Sequence, residues 1–175
     1  MHSIIWLLPI IFMIHDFEEI LMMKAWLKRN HSDLLKRFPR FAEAFLNYYQ
    51  QVSTASFALG VACLFFFLSL VTFVSEQIGD YHLWFGLFMI YSLHLLIHIG
   101  QWFIFRKYVP AVITSILTLP YSIYALIIIT KLRMFNVSTT IIWTIIGLVF
   151  TAGIGFLIQW SMPRFNRWLS RFAQV

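Results

Sequence analysis

Long apolar runs separated by short polar ones organise the whole chain. Five runs approach the roughly 20 residues that a helix needs to cross a bilayer core: about 4–23, 53–75, 82–105, 109–130 and 139–162. They are continuously apolar where the strands of a membrane barrel would alternate, so the pattern predicts helices and excludes a barrel. Two further stretches are amphipathic. In 164–173, Phe165, Trp168, Leu169 and Phe172 recur at helical spacing opposite Arg164, Arg167 and Arg171. In 34–49, Phe38, Phe41 and Phe45 interleave with Lys36, Arg37 and Arg40. The first predicts a helix lying on the membrane surface. The second reads the same way, or as a re-entry into the second apolar run. The expected architecture is an all-α, single-domain bundle of five transmembrane helices with a C-terminal interfacial helix.

Composition supports this pattern. Of 175 residues, 61% are hydrophobic and 11% charged, with a mean hydropathy of +0.80. A soluble domain needs more charge to cover its surface. The net charge of +6 is distributed as topology signals and lipid-phosphate contacts, not as a nucleic-acid surface. Eleven Lys and Arg residues fall on one side of the expected spans: six in 24–40, then Arg106, Lys107, Arg164, Arg167 and Arg171. Only Lys131 and Arg133 fall on the other, which predicts an external N-terminus and a cytoplasmic C-terminus. The N-terminal run has no basic leader or A-x-A site and is expected to be retained. A single cysteine, Cys63, permits no internal disulfide.

One short stretch breaks the apolar pattern. MIHDFEEI, residues 13–20, puts a histidine and three acids inside the first span. On a helical wheel Glu19 lies about 40° to one side of His15 and Glu18 about 60° to the other, while Asp16 stands near 100°, at the edge. Trp6, Ile10, Met13, Phe17 and Leu21 occupy the lipid-facing side. Three unpaired acids at this depth would cost on the order of 8–10 kcal/mol. They need partners, protons or a cation.

The third span offers partners. His94 and His98, four residues apart, share a face with Tyr91 above and Gln101 below. Spans one and three both run from outside to inside, which brings the two polar faces to one depth in the inner half of the bilayer. Three imidazoles and up to two carboxylates suit zinc with an open coordination position, or non-haem iron or manganese. HDFEE also parallels the H-x-x-E-H helix of inverted zinc proteases, with Glu in place of the second His. That parallel makes His15 and Glu19 ligands and Glu18 the general base, with His94 and His98 completing the shell. Without metal, the same residues are an acid/base set that moves protons on a lipid. A hydrogen-bonded knot between two helices is the non-chemical alternative.

Other polar residues are secondary candidates. Arg106, Lys107 and Tyr108 stand where a lipid phosphate would sit, and Lys107 also reads as a topology charge. Thr114, Ser115 and Thr118 lie in the fourth span, where hydroxyls commonly bond their own backbone. Pro110 reads as a helix-start proline and Pro120 as a mid-span kink that opens space beside the site. Gln159 and Trp160 read as interface anchors, and His2, His31 and His82 as solvated.

HDFEE in the first span, HxxxH in the third and RKYVPAVIT leading into the fourth together resemble the bacterial HXXEE-motif family of small integral membrane proteins. His15, Glu18, Glu19, His94, His98, Arg106, Tyr108, Pro110 and Thr114 carry the resemblance; Ala111 stands where Gly is expected. The resemblance implies a bacterial plasma-membrane location and no particular reaction. The leading expectation is a metal-dependent hydrolase or modifying enzyme acting on a lipid or membrane-bound substrate. Its catalytic residues are His15, Glu18 and Glu19; its ligands His15, Glu19, His94 and His98; its substrate contacts Tyr91, Gln101, Arg106, Tyr108 and Thr114. A metal-free isomerase or transferase, similar to sterol isomerases in span number and carboxylate use, is the alternative. A proton-coupled carrier is the third, though carriers commonly contain repeats and no internal repeat is visible.

Overall fold

A computed structural model describes residues 1–173, the side chain of Phe41 excepted. Phe41, part of the expected apolar stripe, therefore lies outside the described side chains. The described chain is all-helical: α1 (His2–Arg37), α2 (Pro39–Gln50), α3 (Thr54–Ile78), α4 (His82–Phe105), α5 (Val112–Lys131) and α6 (Val137–Phe172). Helices α3 to α6 are long and apolar enough to cross a bilayer, and four such helices mark a membrane protein. In α1 the apolar stretch is interrupted by Asp16, Glu18 and Glu19.

Helix α1 packs on α2, α3 and α5, while α4 packs on α3, α5 and α6. A core of Leu8, Leu68, Trp84, Phe88 and Leu95 joins α1, α3 and α4. On the outer face of α1, Trp6, Ile10, Phe17 and Leu21 are exposed as the wheel predicts, while Met13 is half-buried. Apolar attraction alone does not hold helices together in lipid, so close approach and hydrogen bonds matter more. Helices α4 and α6 meet at Gly86 and Gly147, where a Cβ on either residue would run into the backbone of the other helix. Gly147→Ala is expected to lower stability by about 1–3 kcal/mol, the range for overpacking; a thermal unfolding series in detergent checks this.

Three boundaries differ from the sequence expectation, each for a local reason. Residues 34–49 are not one interfacial segment. Helix α1 continues past the apolar run to Arg37, breaks at Phe38 before Pro39, and α2 folds back onto it. Leu34, Ala42 and Leu46 are buried in that hairpin together with Trp26 and Val109. Proline disfavours helical backbone in the residue before it, which sets the break.

Pro110 does not start a helix. It sits in a turn, and α5 begins at Val112 behind Ala111, whose φ is 66°. That left-handed conformation favours glycine, which is a backbone reason for the Gly expected at this position. Nor does Pro163 end α6, which runs unbroken to Phe172, so 164–173 is a continuation of that helix and not a separate one. Proline cannot donate to the carbonyl four residues back; Tyr48 Oη donates to that Gln159 oxygen instead, at 3.2 Å.

Candidate functional site

The two acids that flank His15 on the wheel point to different helices. Glu19 turns toward α4, where its Oε1 lies 3.0 Å from His98 Nε2 with both side chains nearly buried. The same His98 nitrogen is 3.0 Å from His94 Nε2. His15, fully buried, stands edge-on to both, its ring centroid 5.2 Å from each. The three histidines present ligand nitrogens all within 4.8 Å of one another. Tetrahedral zinc with bonds of about 2.0–2.2 Å separates its donors by roughly 3.3–3.6 Å, so this cluster fits such an ion with small side-chain adjustments. His15 Nε2 is buried without a hydrogen-bond partner, as expected of a nitrogen whose lone pair serves a ligand outside the chain.

Glu18 turns the other way, toward the start of α5. Its Oε1 accepts from the Tyr108 hydroxyl at 2.7 Å, and its Oε2 accepts from both the Thr114 N–H and the Thr114 hydroxyl at 2.7 Å. A carboxylate on amide donors in the first turn of a helix also meets the positive end of the helix dipole. Burial, reinforced by the Glu18 carboxylate, raises the Tyr108 phenol above its ordinary range, so it remains a donor.

Thr114 Oγ1 is also 3.4 Å from His15 Nδ1. Because the hydroxyl proton goes to Glu18, the threonine oxygen accepts from Nδ1–H. This tautomer leaves His15 Nε2 with its lone pair toward the cluster. Through Thr114, Glu18 thus orients a histidine it does not touch, an arrangement typical of groups behind metal ligands.

Tyr91 closes the cluster about one turn before His94 on α4. Its hydroxyl donates to Thr118 Oγ1 at 3.2 Å, and Thr118 in turn donates to the Thr114 carbonyl at 2.7 Å. The His15 ring stands edge-on to the Tyr91 ring, 5.9 Å away. Of the substrate contacts expected from the sequence, Tyr91, Tyr108 and Thr114 are therefore joined to the site. Arg106 is an exposed C-cap of α4 with φ 52°, and Gln101 is half-buried; neither has a described contact with the cluster. Lys107 pairs with Asp33 at 2.7 Å, and its hydrogen bond holds the Asp33 carboxyl below the ordinary range. Trp26 Nε1 donates to the Tyr108 carbonyl at 2.6 Å, fixing the turn that aims Tyr108 at Glu18. Nothing in the sequence pattern pointed to Trp26.

Residues 6–125 match a family described as proteins of unknown function with an HXXEE motif. That stretch contains His15, Glu18, Glu19, both α4 histidines and Thr114. The chain belongs to the HXXEE-motif family. No curated protein and no solved structure matches it significantly.

In this HXXEE protein the motif's acidic side also borders a cavity of about 370 Å³ between α1, α3, α4 and α6, with Tyr48 and Tyr49 of α2 at one end. Its walls are mostly apolar, and Asp16, Glu19 and His94 are the carboxylates and imidazole on them. Asp16, which the wheel put at the edge of the polar face, is buried. Neighbouring helices enclose that edge around the cavity, as a single-helix wheel cannot show. Pro120, expected to open space here, is exposed and lines none of the cavity. His2 and His82 pair with Glu76 and Asp80 at 2.5 and 2.8 Å, away from the cluster.

Proposed function

We propose that this protein is a membrane-embedded, metal-dependent enzyme that hydrolyses or otherwise modifies a lipid or membrane-bound substrate. In this reading α1 is a fifth span, with the N-terminus outside the bacterial plasma membrane and the C-terminus in the cytoplasm. The Lys and Arg distribution supports that orientation. The cluster then lies in the inner half of the bilayer, where ionisable groups are retained for function.

One observation carries the proposal: three histidines and Glu19 converge beside an apolar cavity, with His15 Nε2 buried and unpaired. His15, His94 and His98 would hold a divalent metal, zinc before iron or manganese, with Glu19 as the adjoining carboxylate. Bound there, the ion supplies Lewis acidity toward a carbonyl or phosphoryl oxygen.

The chain's own groups do the rest. Glu19 Oε1, on the cavity wall, takes and returns the proton of the attacking nucleophile. Glu18, with both oxygens committed to Tyr108 and Thr114, positions His15 instead of acting as base. The apolar walls hold the substrate's chain and keep bulk water out.

The His98 nitrogen shared by Glu19 and His94 favours one alternative, a Glu–His–His proton relay acting on a lipid without metal. Reconstituted protein incubated with a membrane lipid extract, followed by lipid mass spectrometry, tests both. Consumption of a lipid class by the wild type, lost in His94→Ala and on chelation, is expected. Turnover that survives chelation overturns the metal reading in favour of the relay.

A further inference from the structure

The cavity and Asp16 define the substrate more narrowly. The cavity of about 370 Å³ is bounded by facing helices and lined mostly by apolar side chains. That suits one aliphatic chain laid between the two helix walls. The long walls are apolar: Phe57 and Leu64 of α3 face Ile154 and Ile158 of α6. Gly155, also on the α6 wall, leaves open space where a Cβ would stand.

At the α1 wall the chemistry changes. Asp16 is 5% exposed, and its Oδ2 is buried without a hydrogen-bond partner while the side chain lines the cavity. A buried carboxyl oxygen left unpaired in an apolar setting is costly, so a ligand that satisfies it gains strongly. A hydroxyl does so whichever form Asp16 takes: an ionised carboxylate accepts from it, and a protonated one donates to it. Asp16 and Glu19 are three residues apart on one helix face, so a hydroxyl on Asp16 lies beside the histidine cluster.

We infer that the cavity binds a single-chain amphiphile through its aliphatic tail between α3 and α6, with its head hydroxyl on Asp16. This rests on the reading of the cavity as the substrate site of the proposed enzyme, and it names both the substrate class and the residue that selects it. Tail binding and metal binding use separate groups, so each can fail without the other.

A diazirine-bearing long-chain primary alcohol, photolysed with the purified full-length protein in nanodiscs, tests this directly. Adducts are expected on the α3 and α6 walls, at Phe57, Leu64 or Ile154, and not on exposed Phe66 or Leu148. Excess unlabelled long-chain alcohol should compete at least about tenfold better than the matching alkane, a difference of ~1.4 kcal/mol. Gly155→Leu, filling the open space, should cut labelling at least about tenfold; Thr151→Leu, one turn away on the same wall, is the second plug should the first fail to fold. Asp16→Ala should retain labelling but lose the preference for alcohol over alkane.

Labelling unchanged in both plugs, or confined to the exposed faces, overturns the cavity assignment. An alcohol preference that persists in Asp16→Ala overturns the role of Asp16. His94→Ala, which removes a metal ligand, should still be labelled. Loss of metal from the plugged variants would show instead that the tail site and the cluster are one structure, and that also contradicts the proposal.

Discussion

Glu18→Ala is expected to destabilise the protein by about 3–5 kcal/mol. The carboxylate takes three short hydrogen bonds, from Tyr108 and from the backbone and side chain of Thr114. Bonds to a charged acceptor contribute roughly 1.5–3 kcal/mol each and do not add fully. Truncation also leaves the Thr114 N–H at the head of α5 without a partner, and lipid offers none. Glu18→Gln keeps one acceptor oxygen but turns an NH2 toward a donor, so its loss should fall between wild type and alanine. Unfolding in mixed detergent, followed by circular dichroism, measures both. A Glu18→Ala protein within about 1 kcal/mol of wild type would mean that these contacts do not hold α1 to α5.

The second large effect separates the two acids of the motif. His98→Ala should lower zinc affinity by at least about a hundredfold, because it removes one of three converging imidazoles. Glu19→Gln should cost about 10–100-fold, the usual range for a group beside a metal ligand. Glu18→Gln acts only through Thr114 and the orientation of His15, so its loss should be smaller than that of Glu19→Gln. Equilibrium dialysis against buffered zinc gives the three constants. Equal losses for Glu18→Gln and Glu19→Gln would remove the distinction between a positioning carboxylate and one at the cluster.

Much of the cluster was legible in one dimension. Helical spacing alone put His98 one turn below His94 and set Glu18 and Glu19 on either side of His15. Which neighbour each acid meets was not legible, because it depends on where α4 and α5 stand around α1. The burial of Asp16 was not legible for the same reason: its 100° position borders lipid on an isolated helix, and neighbouring helices bury it.

The prolines mislead in a complementary way. Pro110 satisfies every local rule for a helix start, yet Ala111 at φ 66° delays the helix by two residues. Pro163 satisfies the rules for a stop, yet α6 runs on through it, and the Tyr48 hydroxyl, more than a hundred residues earlier in the chain, donates to the Gln159 carbonyl it leaves open. Local propensity describes the cost of each conformation, and a distant hydroxyl decides whether that cost is met. Trp26 escaped notice because an indole in an apolar helix carries no signal until its N–H finds the Tyr108 carbonyl.

His15, His94 and His98 are proposed to hold one divalent metal inside the membrane domain, with Glu19 beside it. Elemental analysis of protein purified without chelators, combined with X-ray absorption at the edge of the metal found, tests it most directly. About one ion per chain is expected, with imidazole nitrogens at roughly 2.0–2.1 Å. A protein that takes up no metal from buffered zinc, iron or manganese, or a bound metal whose shell contains no histidine, would contradict it.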